Sequence, residues 1–432
     1  MAVRAIVVNR WSCARICALV FLAAFAVRVG LMFATQSYLY PDSGEVLAIA
    51  KSLATHGTFA DAYCNGCGPT AHSAPLYPLL LSLIFRLFGM GVAGNFAQEV
   101  FSSLLASLQY ALVPYVAEIC GMGRFTGLLG GLLGALLPIN RWVQTKGNFE
   151  YALAGLLCVI VTMAVIRTWQ KQDFSWRRGL LLGLLWGITL LTAPQFALLM
   201  IVSLAYPYLT VPTARSRYWI FILAHVVVVT LCLAPWAIRN LNVLGSPIWG
   251  RSNVGLELNL SNNQEASAVW QENWDNGLFE RLHPYISHAQ RERVREVGEV
   301  AYNREQSSAA LHWMASHPTR FVRLTAQRVF YFWISPMKRI GQTIALAVIT
   351  LLGFWGLVRY VRSGSFGRQY FSLLWFFFPL SAYLFQQSGR LRYPIEWSSF
   401  LFAGYWFISV AKSGPAHAGR YVYLPTSTKG AQ

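Results

Sequence analysis

The feature that most constrains this 432-residue chain is a succession of apolar runs, each long enough or nearly long enough to cross a lipid bilayer. A helix needs roughly 20 mostly apolar residues to span a hydrocarbon core of about 30 Å. Ten segments meet or approach that length, near 14–35, 96–119, 124–139, 148–168, 178–194, 195–212, 217–237, 341–360, 368–387 and 395–412. Charged residues make up only 12% of the chain against 55% hydrophobic, about half the charged fraction of an ordinary soluble domain. A water-soluble globule is thereby excluded, as are a disordered chain and a disulfide scaffold. The net charge of +18 would suggest a nucleic-acid partner if it lay on a soluble face. Here the basic residues punctuate apolar runs, so the expectation is an all-α polytopic membrane protein with no nucleic-acid partner. Five of the seven cysteines, Cys13, Cys17, Cys120, Cys158 and Cys232, sit in or beside apolar segments and read as buried thiols.

The first apolar run follows Arg4, Arg10 and Arg15, which places the N-terminus in the cytoplasm and makes the run an uncleaved signal anchor. An eleventh segment, 75–92, is decided by the charge rule. If it crossed, the basic loops at Arg124, Arg167 to Arg178 and Arg215 to Arg217 would all fall outside. If it lies along the outer leaflet, those loops are cytoplasmic and the polar stretch 239–320 is external, which is the reading taken here. The expected organisation is then 1–238 as an N-terminal membrane module whose external loop 36–95 carries chemistry, 239–320 as a long external loop, 321–412 as C-terminal membrane helices, and 413–432 as a disordered cytoplasmic tail. Four regions, 36–95, 139–148, 239–320 and 388–394, converge on the external face, while the cytoplasmic connections are short. The work of the protein is expected outside.

Of seventeen carboxylates, nine lie in the long loop and read mostly as solvated helix faces. Four others, Asp42, Glu45, Glu150 and Glu396, fall at or just inside the external membrane surface, where an ionisable group is costly and points to function. Asp42 and Glu45 open a short amphipathic helix in YPDSGEVLAIAKSLATHG. Their spacing also fits a capping box, with Asp42 as N-cap and Glu45 three residues on. A carboxylate held there is well oriented to take a proton from a substrate hydroxyl.

Basic residues gather at the same face against the charge rule: Arg141, Lys146, Arg239, Arg390 and Arg392, all at span ends. Ordinary snorkelling accounts for single cases. Their sidedness suggests an anion at the external leaflet, and planar guanidinium groups suit a phosphate. Arg28 lies roughly 10 Å below the outer end of the first span by helical rise, and requires either an interhelical acceptor such as Glu150 or a ligand. The external loop also holds YCNGCGPTAH. Cys64 and Cys67, with His72 and His56 nearby, fit a local disulfide or free thiols, or a partial zinc site.

In chain order the segments PDSGE, APLYPLL, NFEYALAGLL, APWAIRN, GLELNLSNN, HPTRFVRL and RLRYPIE resemble the GT-C glycosyltransferases, in the bacterial branch related to protein O-mannosyltransferases and the lipid A aminoarabinose transferase. The resemblance extends to about residue 412. It implies a GT-C-type bundle of about ten transmembrane helices with external juxtamembrane helices, in the bacterial inner membrane, both termini cytoplasmic. It further implies transfer of a hexosyl- or pentosyl-type sugar from a polyprenyl-phosphate carrier, such as undecaprenyl phosphate, to a lipid, glycan or protein acceptor outside. By the same resemblance Asp42 is the general base, with Glu45 and Glu150 as further acidic site residues. Arg392, Arg239, Arg28 and Lys146 are the candidates for the donor phosphate. Tyr77, Asn240, Asn262, Asn263, Tyr393 and Glu396 are candidates for substrate contact. Relatives often carry adjacent acidic residues followed by Tyr, where this chain has Ser43 and Val46. No metal ligands are assigned; no cofactor is demanded, and a divalent cation at the carboxylates is compatible. The alternative is a secondary transporter or lipid flippase using the same buried charges, or a scaffold whose external loop binds a partner. Asp42→Asn separates these.

Overall fold

The computed structural model describes residues 12–40, 42–137, 140, 142–210, 215–337 and 339–412. Arg4, Arg10, Arg141 and the expected tail lie outside the described residues. Helix α1 (Cys13–Thr35) is opened by Ser12, whose hydroxyl accepts from the Arg15 amide at 3.3 Å. The loop that follows holds α2 (Glu45–His56) and leads to α3 (Leu76–Phe88). Helices α4 (Val92–Ala111) and α5 (Val113–Ile119) form one rod broken at Leu112, where Pro114 removes a backbone donor. After α6 (Arg124–Leu136), a π-helical turn (Trp142–Lys146) and a short loop lead into α7 (Tyr151–Lys171). Helix α8 (Trp176–Thr192) stops before Pro194, which bars Ala193 from the helical region, and α9 (Ala197–Thr210) and α10 (Arg215–Leu244) follow.

The long loop is itself helical: α11 (Val254–Ser261), α12 (Trp270–Asp275), α13 (Leu278–Leu282), α14 (His288–Val297) and α15 (Glu299–Ser316). An amphipathic α16 (Pro318–Trp333) returns the chain to α17 (Ile340–Arg362), α18 (Arg368–Leu380) and α19 (Gly389–Lys412). Each of the ten expected spans has its greater part on helix among the described residues; positions 138–139 and 211–212 lie outside them. Among the described residues, five stretches are long and apolar enough to cross a membrane: Cys13–Thr35, Val92–Ile119, Tyr151–Lys171, Tyr218–Leu244 and Ile340–Arg362. The segment expected to reach 387 ends as helix at Leu380, because the chain there leaves α18 to pair with the long loop.

Lipid offers no hydrophobic drive between apolar helices, so close backbone approach must hold the bundle. Gly179, Gly183 and Gly187 make such a seam on α8 against α10. A Cβ on Gly183 would stand 2.7 Å from the His225 carbonyl oxygen, and one on Gly179 2.5 Å from that of Phe221. Outside the bundle a second core forms around Ile49, Leu53, Phe59, Trp236, Leu256 and Tyr302, which seats the long loop on α2 and on residues 57–72. One loop carboxylate corrects the sequence expectation. Glu299 is buried rather than solvated; it accepts from the Ala71 amide at 2.8 Å, from Ser252 Oγ at 2.5 Å and from the Thr70 hydroxyl, so it fastens the long loop to the loop after α2.

Candidate active site

Two backbone segments carry several of the candidate residues, residues 42–45 entering α2 and residues 146–150 between the π turn and α7. The capping box does not form. Gly44 is the N-cap of α2, and no side chain caps that end. The Asp42 carboxylate turns instead to Asn148, whose Nδ2 donates to Oδ2 at 2.5 Å, while the Ser43 amide donates to Oδ1 at 3.0 Å. Gln98 Nε2 donates to Asn148 Oδ1 at 3.2 Å and to the Lys146 carbonyl at 2.8 Å, which fixes the orientation of that amide. Lys146 Nζ donates to the Ser37 and Tyr40 carbonyls at 3.0 Å each and lies 3.7 Å from Glu99. Tyr77, buried on α3, donates to the Gly147 carbonyl at 2.6 Å. Asp42, Lys146 and Asn148 line one small cavity with Lys51 and Glu99.

The long loop reaches the other two carboxylates. Arg251 Nη2 donates to Glu150 Oε1 at 2.6 Å, an ion pair whose carboxylate is buried. His283 Nε2 lies 3.4 Å from Glu45 Oε1. Burial pushes the Glu45 carboxyl up, against an opposing effect of the Arg390 charge, and pushes His283 down to about 4. With the imidazole held neutral near pH 7, the contact is not a fully charged ion pair. Burial and the neighbouring His283 and Arg251 also hold His72 low, and His72 Nδ1 pairs with the Tyr63 hydroxyl at 3.0 Å. His72 therefore does not serve Cys64 and Cys67, which form a disulfide. Among the described residues no three His, Cys, Asp or Glu side chains gather as a metal site.

The guanidinium groups divide sharply. Arg390 stands over the rings of Phe149 and Trp270, at 4.9 and 5.4 Å from their centroids, and lines a cavity of about 1020 Å³ with Leu31, Val143, Trp274 and Arg339. The three arginines expected at the donor phosphate are turned elsewhere. Arg392 is buried, with Nη1 donating to the Trp333 carbonyl and, at 2.6 Å, to Thr350, and Nη2 donating to Ser399 at 2.9 Å. Arg28 is buried and donates to the Ala24, Gly134 and Ala135 carbonyls and to Gln144 Oε1 at 2.6 Å; its interhelical acceptor is not Glu150. Arg239 donates to the Phe59 and Thr70 carbonyls at 2.6 and 2.7 Å and to Asn240 Oδ1 at 2.9 Å, tying α10 to the loop between α2 and α3.

Asn240 Nδ2 donates to the Ile248 carbonyl at 2.8 Å. Asn262 donates to the Leu258 and Leu384 carbonyls and accepts from Arg328 at 2.9 Å, and Asn263 donates to the Asn259 carbonyl at 2.6 Å. Tyr393 and Glu396 are fully buried, and Glu396 Oε2 accepts from Asn140 Nδ2 at 2.7 Å. Sequence reasoning did not select Asn148, Arg251, His283 or the cavity-facing role of Arg390. Arg390 carried a signal through its place among the span-end arginines, and Asn148 opens the quoted segment NFEYALAGLL.

No family profile and no curated protein matches the sequence. Solved structures do match in shape. The apo oligosaccharyltransferase of Archaeoglobus fulgidus superposes with a TM-score of 0.58 at 11% identity, covering 94% of this chain and 51% of that one. The archaeal oligosaccharyltransferase AglB from the same organism, in complex with an inhibitory peptide and a dolichol-phosphate, gives 0.54 at 12% identity with 94% and 51% covered. ArnT from Cupriavidus metallidurans, bound to undecaprenyl phosphate, gives 0.40 at 14% identity with 92% and 78% covered, too loose an overlap to argue from. The chain is an all-α membrane protein of the GT-C fold. It spans about half the length of the archaeal enzymes.

Proposed function

We propose that this protein is a membrane glycosyltransferase that moves a hexosyl- or pentosyl-type sugar from a polyprenyl-phosphate carrier to a hydroxyl or amine acceptor on the external face of a bacterial inner membrane. The observation that carries the proposal is Asp42, half-buried beside a cavity and held by Asn148 on a fold shared with lipid-linked sugar transferases. In this reading Asp42 removes the acceptor proton. The acceptor atom attacks the anomeric carbon, and the bond from that carbon to the phosphate oxygen breaks. The electron pair leaves on the polyprenyl phosphate, whose charge must be met by fixed cations.

Arg390 is the guanidinium best placed for that phosphate, since it faces the large cavity, whereas Arg392, Arg239 and Arg28 spend their donors on the protein. Lys146 and Tyr77 hold the loops beside Asp42 and Asn148. Glu45 and Glu150 anchor the long loop through His283 and Arg251. Asn240, Asn262, Asn263, Tyr393 and Glu396 are positioning residues. No cofactor is required, and no step runs through a metal; a divalent cation beside Asp42 stays compatible with the scheme.

The test compares membranes of cells carrying the wild-type protein, Asp42→Asn, or neither, by mass spectrometry of surface glycolipids and glycoproteins. A sugar increment present with the wild type and lowered about 10²- to 10⁴-fold in rate by the variant is expected. Undiminished transfer by Asp42→Asn removes the assigned base. A lipid moved across the bilayer with no covalent sugar increment would favour the flippase.

A further inference from the structure

The large cavity carries features that neither the general base nor the phosphate explains. On its loop side, α12 places Trp270 and Trp274 four residues apart, so their indoles stack, with centroids 5.4 Å apart and planes inclined by 24°. Phe279 braces both rings, at 5.5 and 5.4 Å. Trp274 remains 45% exposed and lines the cavity, although a neighbouring aromatic cluster was available to bury it. The pair is held rigidly against the chain entering α19. The Trp270 amide donates to the Gln387 carbonyl at 2.9 Å, the Gln387 amide to the Ala268 carbonyl at 2.7 Å, and Asn273 Nδ2 to Gln386 Oε1 at 2.7 Å.

Alongside the pair, on the chain entering α19, three polar atoms are buried without partners among the described residues: Gln387 Oε1, Ser388 Oγ and Arg390 Nε, all on residues lining the same cavity. Gln387 is fully buried, and its Nε2 is already committed to the Ala382 and Phe385 carbonyls, which leaves Oε1 as a fixed acceptor. Buried polar atoms are normally paired, and a run of three orphans beside a void implies a polar guest. An exposed, braced indole lining the same cavity implies that the guest has an apolar face as well. A sugar ring meets both demands, because its C–H face packs on an aromatic ring while its hydroxyls offer donors and acceptors at the edge.

The geometry points to a sugar subsite in which Trp274 and Trp270 stack the glycosyl ring of the donor, Gln387 and Ser388 read its hydroxyls, and Arg390 marks its phosphate end. This rests on the lipid-linked donor proposed above. The assignment to the donor, and not to an acceptor saccharide, follows from Arg390, which lies 5.4 Å from the Trp270 ring and offers an anion a seat next to the stacked sugar. The subsite makes Trp274, Gln387 and Ser388 specificity-determining residues.

The test uses the purified full chain and calorimetric titration with two kinds of probe. One is geranyl phosphate; the other is its glycosyl esters with a hexose, an amino-hexose and a pentose. Trp274→Ala removes an exposed side chain and is expected to weaken the best-bound ester about tenfold or more while leaving geranyl phosphate within about twofold. Trp274→Tyr should restore most of the loss, and Ser388→Ala should change the ranking of the three sugars. Equal weakening of both probes, or of neither, overturns the subsite while leaving the transferase reading intact. A methyl glycoside whose binding falls in Trp274→Ala while the ester's does not would move the ring to the acceptor and overturn the donor assignment. Failure of the wild type to bind either probe would overturn the polyprenyl-phosphate reading together with the subsite.

Discussion

Arg390 and Arg392 lie two residues apart on the first turn of α19, yet they belong to different regions of the molecule. At about 100° per residue, two steps along a helix carry a side chain to nearly the opposite face. Arg390 faces the cavity between aromatic rings, whereas Arg392 faces the bundle and joins α19 to the Trp333 carbonyl and to Thr350 of α17. Arg28 and Arg239 repeat the second pattern, with donors spent on backbone carbonyls where helices end or approach. A guanidinium at the outer membrane surface can therefore be either a ligand for the substrate or a substitute for the water that backbone carbonyls lack there. Only its partners tell which.

The largest expected effect breaks that pair apart. Arg390→Gln should slow transfer about 100-fold, the loss expected for one preorganised donor, while leaving the thermal midpoint of the purified protein close to the wild type. Arg392→Gln should behave in the opposite way, losing roughly 3 kcal/mol of stability through several buried hydrogen bonds, with a turnover per folded molecule near normal. Thermal denaturation followed alongside initial rates checks both. A stable Arg392→Gln protein with lost turnover would return the phosphate to Arg392.

How much of this was legible follows from the physics of each feature. The helices were legible because hydrocarbon requires long apolar runs, and the sites of the breaks were marked by Pro114 and Pro194. Asp42, Glu45 and Glu150 stood out as candidates because carboxylates are scarce in and beside apolar segments. Their partners did not. Arg251 and His283 stand 101 residues from Glu150 and 238 from Glu45, counting 251 − 150 and 283 − 45, and nothing local records which loop residue descends onto which carboxylate. The choice of Arg392 over Arg390 came from resemblance, while the helical phase of RLRYPIE allowed only one of the two to face outward. Glu299 was hidden in the same way, since a charged loop helix gives no sign of which carboxylate is buried.

The contact between His283 and Glu45 yields the next effect, on the loop rather than on the bundle. A buried histidine whose folded pKa is pushed down to about 4 contributes fully when neutral, so its share of stability is intact above pH 6.5 and is lost as pH falls from there through 4. The shift corresponds to at most about 3 kcal/mol. Glu45, pushed up by burial, acts with the opposite sign: its contribution is present at low pH and declines as pH rises through its raised pKa. Denaturation measured from pH 7 to 4 should show a loss that His283→Gln reduces and that Arg28→Gln, inside the bundle, does not. An unchanged pH profile in His283→Gln would place the acid sensitivity elsewhere, with His72 the first alternative.

The smallest effect concerns Cys64 and Cys67, the one covalent link in the external region among the described residues. Closing so short a loop restrains little of the unfolded chain, and the entropic contribution for a ring of four residues is about 2 kcal/mol. His72 is engaged with Tyr63, and Arg295 Nη2 donates to Cys64 Sγ at 3.1 Å. Replacing both cysteines by Ser should therefore lower the thermal midpoint by a few degrees while leaving transfer and the Asp42 phenotype unchanged, and reduction of the wild type should reproduce that shift. A large loss of transfer on reduction, or one reversed by added zinc, would mean that the external loop uses its thiols for more than a staple, and would bring the zinc alternative for YCNGCGPTAH back into play.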